Sequence, residues 1–463
     1  MINDINNMDD FPTLKEIELH LFRELQEVFK NTLLSILEEL DDWLKDNRDF
    51  KRFKNREKQK TTLATMFGSV TINRRKYFDQ KAGVRVALLD QFLQYNGEDS
   101  LSPFLTEMVI KWAVKGPSYR DARDRFCDLL GYQATSHETI RQEVLKIEPK
   151  EIENAKEEPK DADVLFLEVD GLHVHKQNST RSTREVKIGV VHEGWRKKHP
   201  SSQEYELRNK SFWFSLDSGE EFWESFSRFL YKQYSITENT HIVINGDGAP
   251  WIRKGVDYFE SAVYTFDRYH LKQWIREAFS KRSKQERRNA YLAADANDPT
   301  ALVVAISEAE KAETDEEKKK DITDLRLFVL ENMDAFRDYR EILKTEKGVN
   351  TEGMRPMGAA ESNMNLLSRR LKKMGYSWSF EGLKSMLHAL IHHFEGTLEG
   401  ATQRLFTSDY TDKEEPKEYP SFASLLTEKT RESIGAIQGH MPALVGDDQR
   451  KPYTKVLRGL AGF

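Results

Sequence analysis

The sequence predicts an α/β domain with element order β-β-β-α-β-α-β-α, preceded by a mostly α-helical amino-terminal region that carries one β-hairpin. Three observations predict it. Apolar runs of strand length begin at Val164 and recur as far as Phe266. Before and after that stretch, apolar residues fall at three- and four-residue intervals, the period of an amphipathic helix. Between the two regimes lies Glu148 to Asp163 (EPKEIENAKEEPKDAD), a charged segment with two prolines that reads as a linker.

Leu14 to Leu44 places Leu21, Leu25, Val28, Leu33, Leu37 and Leu40 on one helical face, a long helix with at most one break. That face serves either packing within the chain or self-pairing. From Lys45 to Lys81 the charge changes sign, with twelve Lys/Arg against four acidic residues. Inside it, Thr61 to Gln80 alternates as a hairpin with its turn near Gly68-Ser69. Ser118 to Ile147 predicts two short helices. The first buries Ala122, Phe126, Leu129 and Leu130 and ends at Gly131, and the second is capped by Thr135 or Ser136. Two such helices beside a basic hairpin resemble a DNA-reading helix-turn-helix, although many helical hairpins bind nothing.

The strands are Val164–Val174, Glu185–Val191 and Tyr205–Leu216, then a helix at Ser218–Tyr234, then strands His241–Asn245 and Ala262–Phe266 around a short helix after Pro250. Leu271 to about Gly348 is helical and very charged, an insertion rather than sheet. A last helical block starts near Ala359. The domain limits are 1–50 (amphipathic helix, oligomerisation), 51–150 (hairpin and helix-turn-helix), 160–272 (first part of the core), 273–350 (insertion), 351–400 (last helix of the core) and 401–463, which has no assignment.

At roughly 100–200 residues per domain, 463 residues allow two to four domains. With 71 Lys+Arg against 77 Asp+Glu, the net charge of −6 excludes a globally basic DNA-coating protein. One cysteine, Cys127, excludes an internal disulfide framework and a multi-cysteine zinc finger. No apolar run approaches the ~20 residues of a membrane span, and no secretory signal opens the chain. The expectation is a cytoplasmic protein that does not engage membranes.

Three acids stand out by position. Asp170 ends the first strand (LEVDGLHV), Asp247 ends the fourth (VINGDGAPW), and Glu361 opens a helix (MGAAESNMNLL). A carboxylate at the end of a buried strand is costly unless a cation shares it. Three together offer the hard oxygen ligands that two Mg²⁺ ions take. The plainer readings are an ordinary glycine turn around Asp247 and a dipole-favoured helix acid at Glu361. Acid on strand one, acid on strand four and acid on a following helix is the arrangement of polynucleotidyl transferases with a ribonuclease H-like fold.

On the blocks EVDGLHV (168–174), REVKIGVVHEGW (184–195), VINGDGAPWI (243–252), FDRYHL (266–271) and AAESNMNLLSRRLKKMGYSWS (359–379), the chain resembles the DDE transposases of bacterial insertion sequences. The similarity is greatest to the ISLre-type family, with Mutator-like transposases as relatives. The resemblance implies that Asp170, Asp247 and Glu361 are catalytic and metal-binding, with two Mg²⁺ ions and Mn²⁺ as a substitute for them. It implies transposon-end and target double-stranded DNA as partners, a homodimer or higher oligomer on that DNA, and a nucleoid-associated location. Asp267 and His270 resemble the Asp-x-x-His element of the Mutator-like relatives and are candidates for active-site support. A structure-selective nuclease and a non-catalytic DNA-binding descendant are the alternatives.

Cations near these acids are the candidate DNA contacts. On a helix starting at Glu361, Asn365, Ser368 and Lys372 share its direction at ~100° per residue, with Arg369, Arg370 and Lys373 close by. Lys272 and Arg276 open a second basic run that continues through Lys281 and Arg282 to Arg288, and Arg74, Arg75 and Lys76 lie in the hairpin. A solvated surface is the other reading of each run. His388, His392 and His393 (HALIHH) have a zinc-like i, i+4 spacing, but no HExxH glutamate accompanies them and zinc is not expected.

Overall fold

Thr13 starts the first helix with a reciprocal cap, its hydroxyl meeting the Glu16 N–H and the Glu16 carboxylate meeting the Thr13 N–H. The helix, α1 (Leu14–Asn47), runs unbroken. The computed structural model describes residues 13–95, 97, 100–149, 159–177, 183–279 and 284–406. The chain divides into two compact units, Met1–Ile147 with Leu398–Phe463, and Glu148–Thr397.

In the first unit, β1 (Phe53–Thr65), β2 (Gly68–Asp79) and β3 (Val84–Val86) form an antiparallel sheet in that order. The hairpin turns at Met66-Phe67, two residues before the expected Gly68-Ser69, because Thr65 pairs with Gly68. Leu37 and Leu40 of α1 pack on Val70 and Ile72 of β2 and on Leu89 of α2 (Leu88–Phe92). The carboxyl-terminal half of α1 is therefore consumed within the unit rather than standing apart as a domain. Three further helices, α3 (Pro103–Lys115), α4 (Tyr119–Leu130) and α5 (His137–Leu145), pack on one another around Ile110, Phe126, Ile140 and Val144. Gly131 ends α4 in the left-handed region, and the Ser136 hydroxyl caps α5.

The second unit is built on β4 (Val164–Lys176), β5 (Thr183–His192), a small ribbon of β6 (Trp195–Lys197) with β7 (Tyr205–Leu207), and β8 (Ser211–Ser215). The single strand expected over Tyr205–Leu216 is thus two, because the β7 segment pairs with β6 outside the main sheet. Helix α6 (Gly219–Gln233) leads to β9 (His241–Gly246), then α7 (Pro250–Arg253) and β10 (Ala262–Phe266). The main sheet has order β10-β9-β4-β5-β8. Its β10-β9-β4 half is parallel, and β5 and β8 are antiparallel additions.

Strand alternation decides what each face carries. Leu165, Leu167 and Val169 of β4, with Ile242 and Ile244 of β9, bury against Phe222, Trp223, Phe226 and Phe229 of α6. Val164 and Phe166, with Val243, turn the other way onto Tyr339, Leu343 and Met357. Glu168 and Asp170 continue this second set, as do Asn245 and Asp247 beyond Val243.

The helices α8 (Arg268–Ala278), α9 (Lys284–Ala296), α10 (Pro299–Ala312) and α11 (Glu316–Glu331) share one apolar cluster anchored by Phe266 at the end of β10. Despite its charge, this segment is packed into the second unit. After α12 (Tyr339–Glu346) come α13 (Ala360–Leu371), the short β11 (Ser377–Trp378), which pairs with the end of β4, and α14 (Phe380–Phe394). Among the described residues no helix is long and apolar enough to cross a membrane. The segment after Phe406, which the sequence left without an assignment, lies outside the described residues, as do Lys281 and Arg282.

Candidate active site

Two parallel strands carry the aspartates to one place. Pairing between β4 and β9 ends at Glu168 opposite Asn245, so Asp170 and Asp247 both lie two residues past the last pair and on the same face. The chain leaves β9 through Gly248, whose φ of +90° is a conformation suited to glycine. Asp247 Oδ1 accepts the Ala249 N–H at 2.9 Å, which closes that turn. Glu361 comes from the first turn of α13, which packs on β4.

These three carboxylates and His270 line a single cleft of about 670 Å³. Lys372 and Lys373, just past α13, line it too, as does Glu185 of β5, a fourth carboxylate that the sequence reading missed. Glu185 Oε2 accepts from Lys187 Nζ at 2.9 Å, and that ammonium lies 5.4 Å from the centre of the Trp251 ring.

The electrostatics are those of crowded acids. Burial pushes the Asp170 carboxyl up to about 6, and Asp247 and Asp267 add to the rise, against the opposing pull of His270 and the Gly171 N–H. Asp267 caps α8. Its Oδ1 accepts from the His270 N–H and from His270 Nδ1, both at 3.0 Å. Burial alone would raise Asp267, but hydrogen bonds from His270 and Asn245 outweigh it and hold the carboxyl below its usual range. The same bond to Asp267 leads the causes that raise His270, with Asp170 and Asp247 contributing, so the imidazole favours its cationic form.

The donor set suits a hard divalent cation, since it is made of carboxylate oxygens, and burial raises the Asp170 carboxyl where no cation shares it. It is not a finished cage. Among the described residues no three His, Cys, Asp or Glu side chains are gathered closely enough to hold an ion. Glu361 Oε1 instead accepts from Asn365 Nδ2 at 2.8 Å.

The cations divide into two groups. Arg369, Lys372 and Lys373 are exposed, with Lys373 Nζ on Asn365 Oδ1 at 2.6 Å. Arg276 is exposed, whereas Lys272 is drawn to Asp295 at 2.6 Å. Three expected DNA contacts are instead structural. Arg370 is buried, with its guanidinium over the rings of Trp378 and Tyr376. Arg74 is buried on Asp90, and Arg75 on Asp41, each at 2.6 Å. Arg74 and Arg75 thus face inward onto buried carboxylates rather than outward. Lys76 is half-buried. The exposed cations of the hairpin are Lys54, Arg56, Lys58 and Lys60 on β1. In α5, Arg141 is held by Glu138 at 3.1 Å.

His388 and His392 do not face this cleft. His392 is buried between Thr397 Oγ1 and the Glu148 carbonyl, and His388 packs on Phe214, where burial lowers it to about 4.

Among known proteins the chain is similar to a UPF0236 protein encoded in the vanSb 3′ region of Streptococcus gallolyticus, 26% identical over 83% of this chain and 84% of that one. It is also similar to UPF0236 proteins of Caldanaerobacter subterraneus subsp. tengcongensis. One is 25% identical over 83% of this chain and 77% of its own length, and another, TTE2489, is 26% identical over 81% and 75%. The model of an uncharacterised protein family, UPF0236, matches residues 7–405. The chain belongs to the UPF0236 family.

Proposed function

We propose that this protein is a DDE transposase, a Mg²⁺-dependent enzyme that cleaves DNA at transposon ends and joins the freed 3′ ends to target DNA, and that its second unit has a ribonuclease H-like fold. The observation that carries the reading is the convergence of Asp170, Asp247 and Glu361 on one cleft from residues 77 and 114 apart. Packing alone gives no reason to place three acids there, because each gains charge repulsion and loses water.

In the cleavage step a water oxygen attacks the phosphorus and the 3′ oxygen departs with a proton, leaving a 3′-OH and a 5′-phosphate. In the joining step that 3′-OH attacks a target phosphodiester, forming one P–O bond as another breaks. Two Mg²⁺ ions, or Mn²⁺ in their place, would supply Lewis-acid activation of the attacking oxygen and neutralise charge on the leaving one. Asp170 and Asp247 would hold them, with Glu361 turning from Asn365 to complete the set. His270, biased toward its cationic form by Asp267, would offer charge to a non-bridging phosphate oxygen. Lys372 and Lys373 at the cleft wall hold the flanking phosphates.

The test is nicking and strand transfer with end DNA in Mg²⁺. Asp170→Asn, Asp247→Asn and Glu361→Gln should each abolish both reactions while leaving DNA affinity largely unchanged, since each removes a charge at nearly constant volume. A variant with wild-type cleavage removes that residue from the proposed set.

A further inference from the structure

We propose that Glu168 is a positioning residue, a buried carboxylate that clamps the amino-terminal end of the Glu361 helix onto the strand that carries Asp170. The inference rests on the reading of the cleft given above. Glu168 lies two residues before Asp170, so the two side chains leave β4 on the same face, one layer apart. Asn245 stands opposite Glu168 in the parallel register and two residues before Asp247. A polar layer therefore lies directly beneath the layer of aspartates, and the fully buried His192 of β5 lies beside it, its Nε2 3.9 Å from Glu168 Oε1.

This layer is fully buried and joined by hydrogen bonds. Glu168 has no solvent exposure, and Asn245 and Asp267 are about as buried. Glu168 Oε2 accepts from Asn245 Nδ2 at 2.6 Å, and the same nitrogen donates to Asp267 Oδ2 at 3.0 Å. Glu168 Oε1 accepts two backbone N–H groups from 190 residues away, Gly358 at 3.2 Å and Ala359 at 3.1 Å. Those two residues are the entry to α13.

The helix needs this partner. Its N-cap residue, Ala359, has no side-chain oxygen to bond the free N–H groups at the helix start. Glu168 supplies the acceptor from another strand, and its negative charge sits at the positive end of the helix dipole. Gly358 has a φ of +144°, a conformation that L side chains rarely adopt, and it turns the chain so that successive N–H groups face one oxygen. Glu361 follows three residues after Gly358. Because one carboxylate binds both the helix start and, through Asn245, the neighbouring strand, it sets the distance between Glu361 and the two aspartates.

The full-length chain is compared with Glu168→Leu, Glu168→Gln and Ala359→Pro. Proline deletes one donor to Glu168 at a φ of −84° that is near proline's own, so this variant tests the clamp without touching the carboxylate. Amide hydrogen exchange across the first turn of α13 reads docking, and titration with Mn²⁺ alone reads the carboxylate geometry. With Glu168→Leu and Ala359→Pro, that turn should exchange faster, and Mn²⁺ should bind about 10–100-fold more weakly. On end DNA, turnover should fall about 100-fold at an unchanged KM, because misplacement rather than lost binding is the defect. Glu168→Gln keeps an oxygen for both N–H groups but turns its amide nitrogen toward the Asn245 donor, so exchange in the first turn of α13 should return toward the wild-type rate while turnover recovers only in part. Unchanged exchange in α13 with either folded variant overturns the clamp, and so does a folded Glu168→Gln whose α13 turn exchanges as fast as that of Glu168→Leu. A wild-type protein that never cleaves end DNA sinks the reading of the cleft instead, while the exchange comparison still decides the clamp.

Discussion

At the scale of single residues, the cleft trades stability for a poised charge. Asp170 has an ordinary carboxyl value of 3.8 and is raised to about 6 in the fold. The folded state therefore binds its proton more tightly than the unfolded one, and stability falls as pH rises through that window. Ionised Asp170 should cost the metal-free protein about 2–3 kcal/mol above pH 7. Asp170→Asn keeps the oxygen that accepts the Gly171 N–H at 2.7 Å and removes the charge. In EDTA at pH 8 this variant should melt several degrees above the wild type, with the difference vanishing below about pH 4. Calorimetry across that pH range checks it, and a variant that melts lower at pH 8 contradicts the assignment of Asp170 as a strained carboxylate. Divalent cation should raise the wild-type melting point more than the variant's, because only the wild type has the charge to relieve.

At the scale of elements, burial sorts cations that look alike in sequence. RRK at 74–76 and the lysines of β1 belong to the same basic hairpin, yet Arg74 and Arg75 neutralise Asp90 and Asp41 inside the unit. Breaking such a pair strands a charge, so Arg75→Ala should destabilise the first unit by about 3–5 kcal/mol. Lys58 and Lys60 are exposed and cost the fold little when removed. If this hairpin follows a DNA backbone, Lys58→Ala and Lys60→Ala should each lower the log–log salt slope of end-DNA binding by about 0.9 without changing sequence preference. Fluorescence anisotropy over a salt series reads the slope, and two variants with wild-type slopes move the DNA path off β1.

At the scale of the whole molecule, a transposase of the proposed kind must join two ends to one target, and with one cleft per chain two chains, each cutting one end, are the simplest arrangement. We expect two chains on paired end DNA. The carboxyl-terminal half of α1 is spent on β2, but Leu19, Phe22, Leu25 and Phe29 in its other half remain exposed. That face is the candidate contact. Phe22→Glu with Leu25→Glu should leave binding to a single end intact and reduce the two-chain complex measured by light scattering. A one-chain complex that transfers both ends would remove the need for any such contact.

What depends on local chemistry and period was legible in the chain alone. Caps such as Ser136, the stop at Gly131, the alternation that puts Asp170 on one face of β4, and the turn after Asp247 are all written within a few neighbouring residues. The carboxylates were legible because an ionised side chain in an apolar strand has no packing role. Only the tertiary structure decided which charges are spent inside the fold, because Arg74, Arg75, Arg370 and Arg369 differ in their distant neighbours and not in their own chemistry. The same reason hid Glu168. In LFLEVDG it reads as one more acid beside Asp170, and its purpose appears only when Gly358 and Ala359 arrive from 190 residues further along the chain.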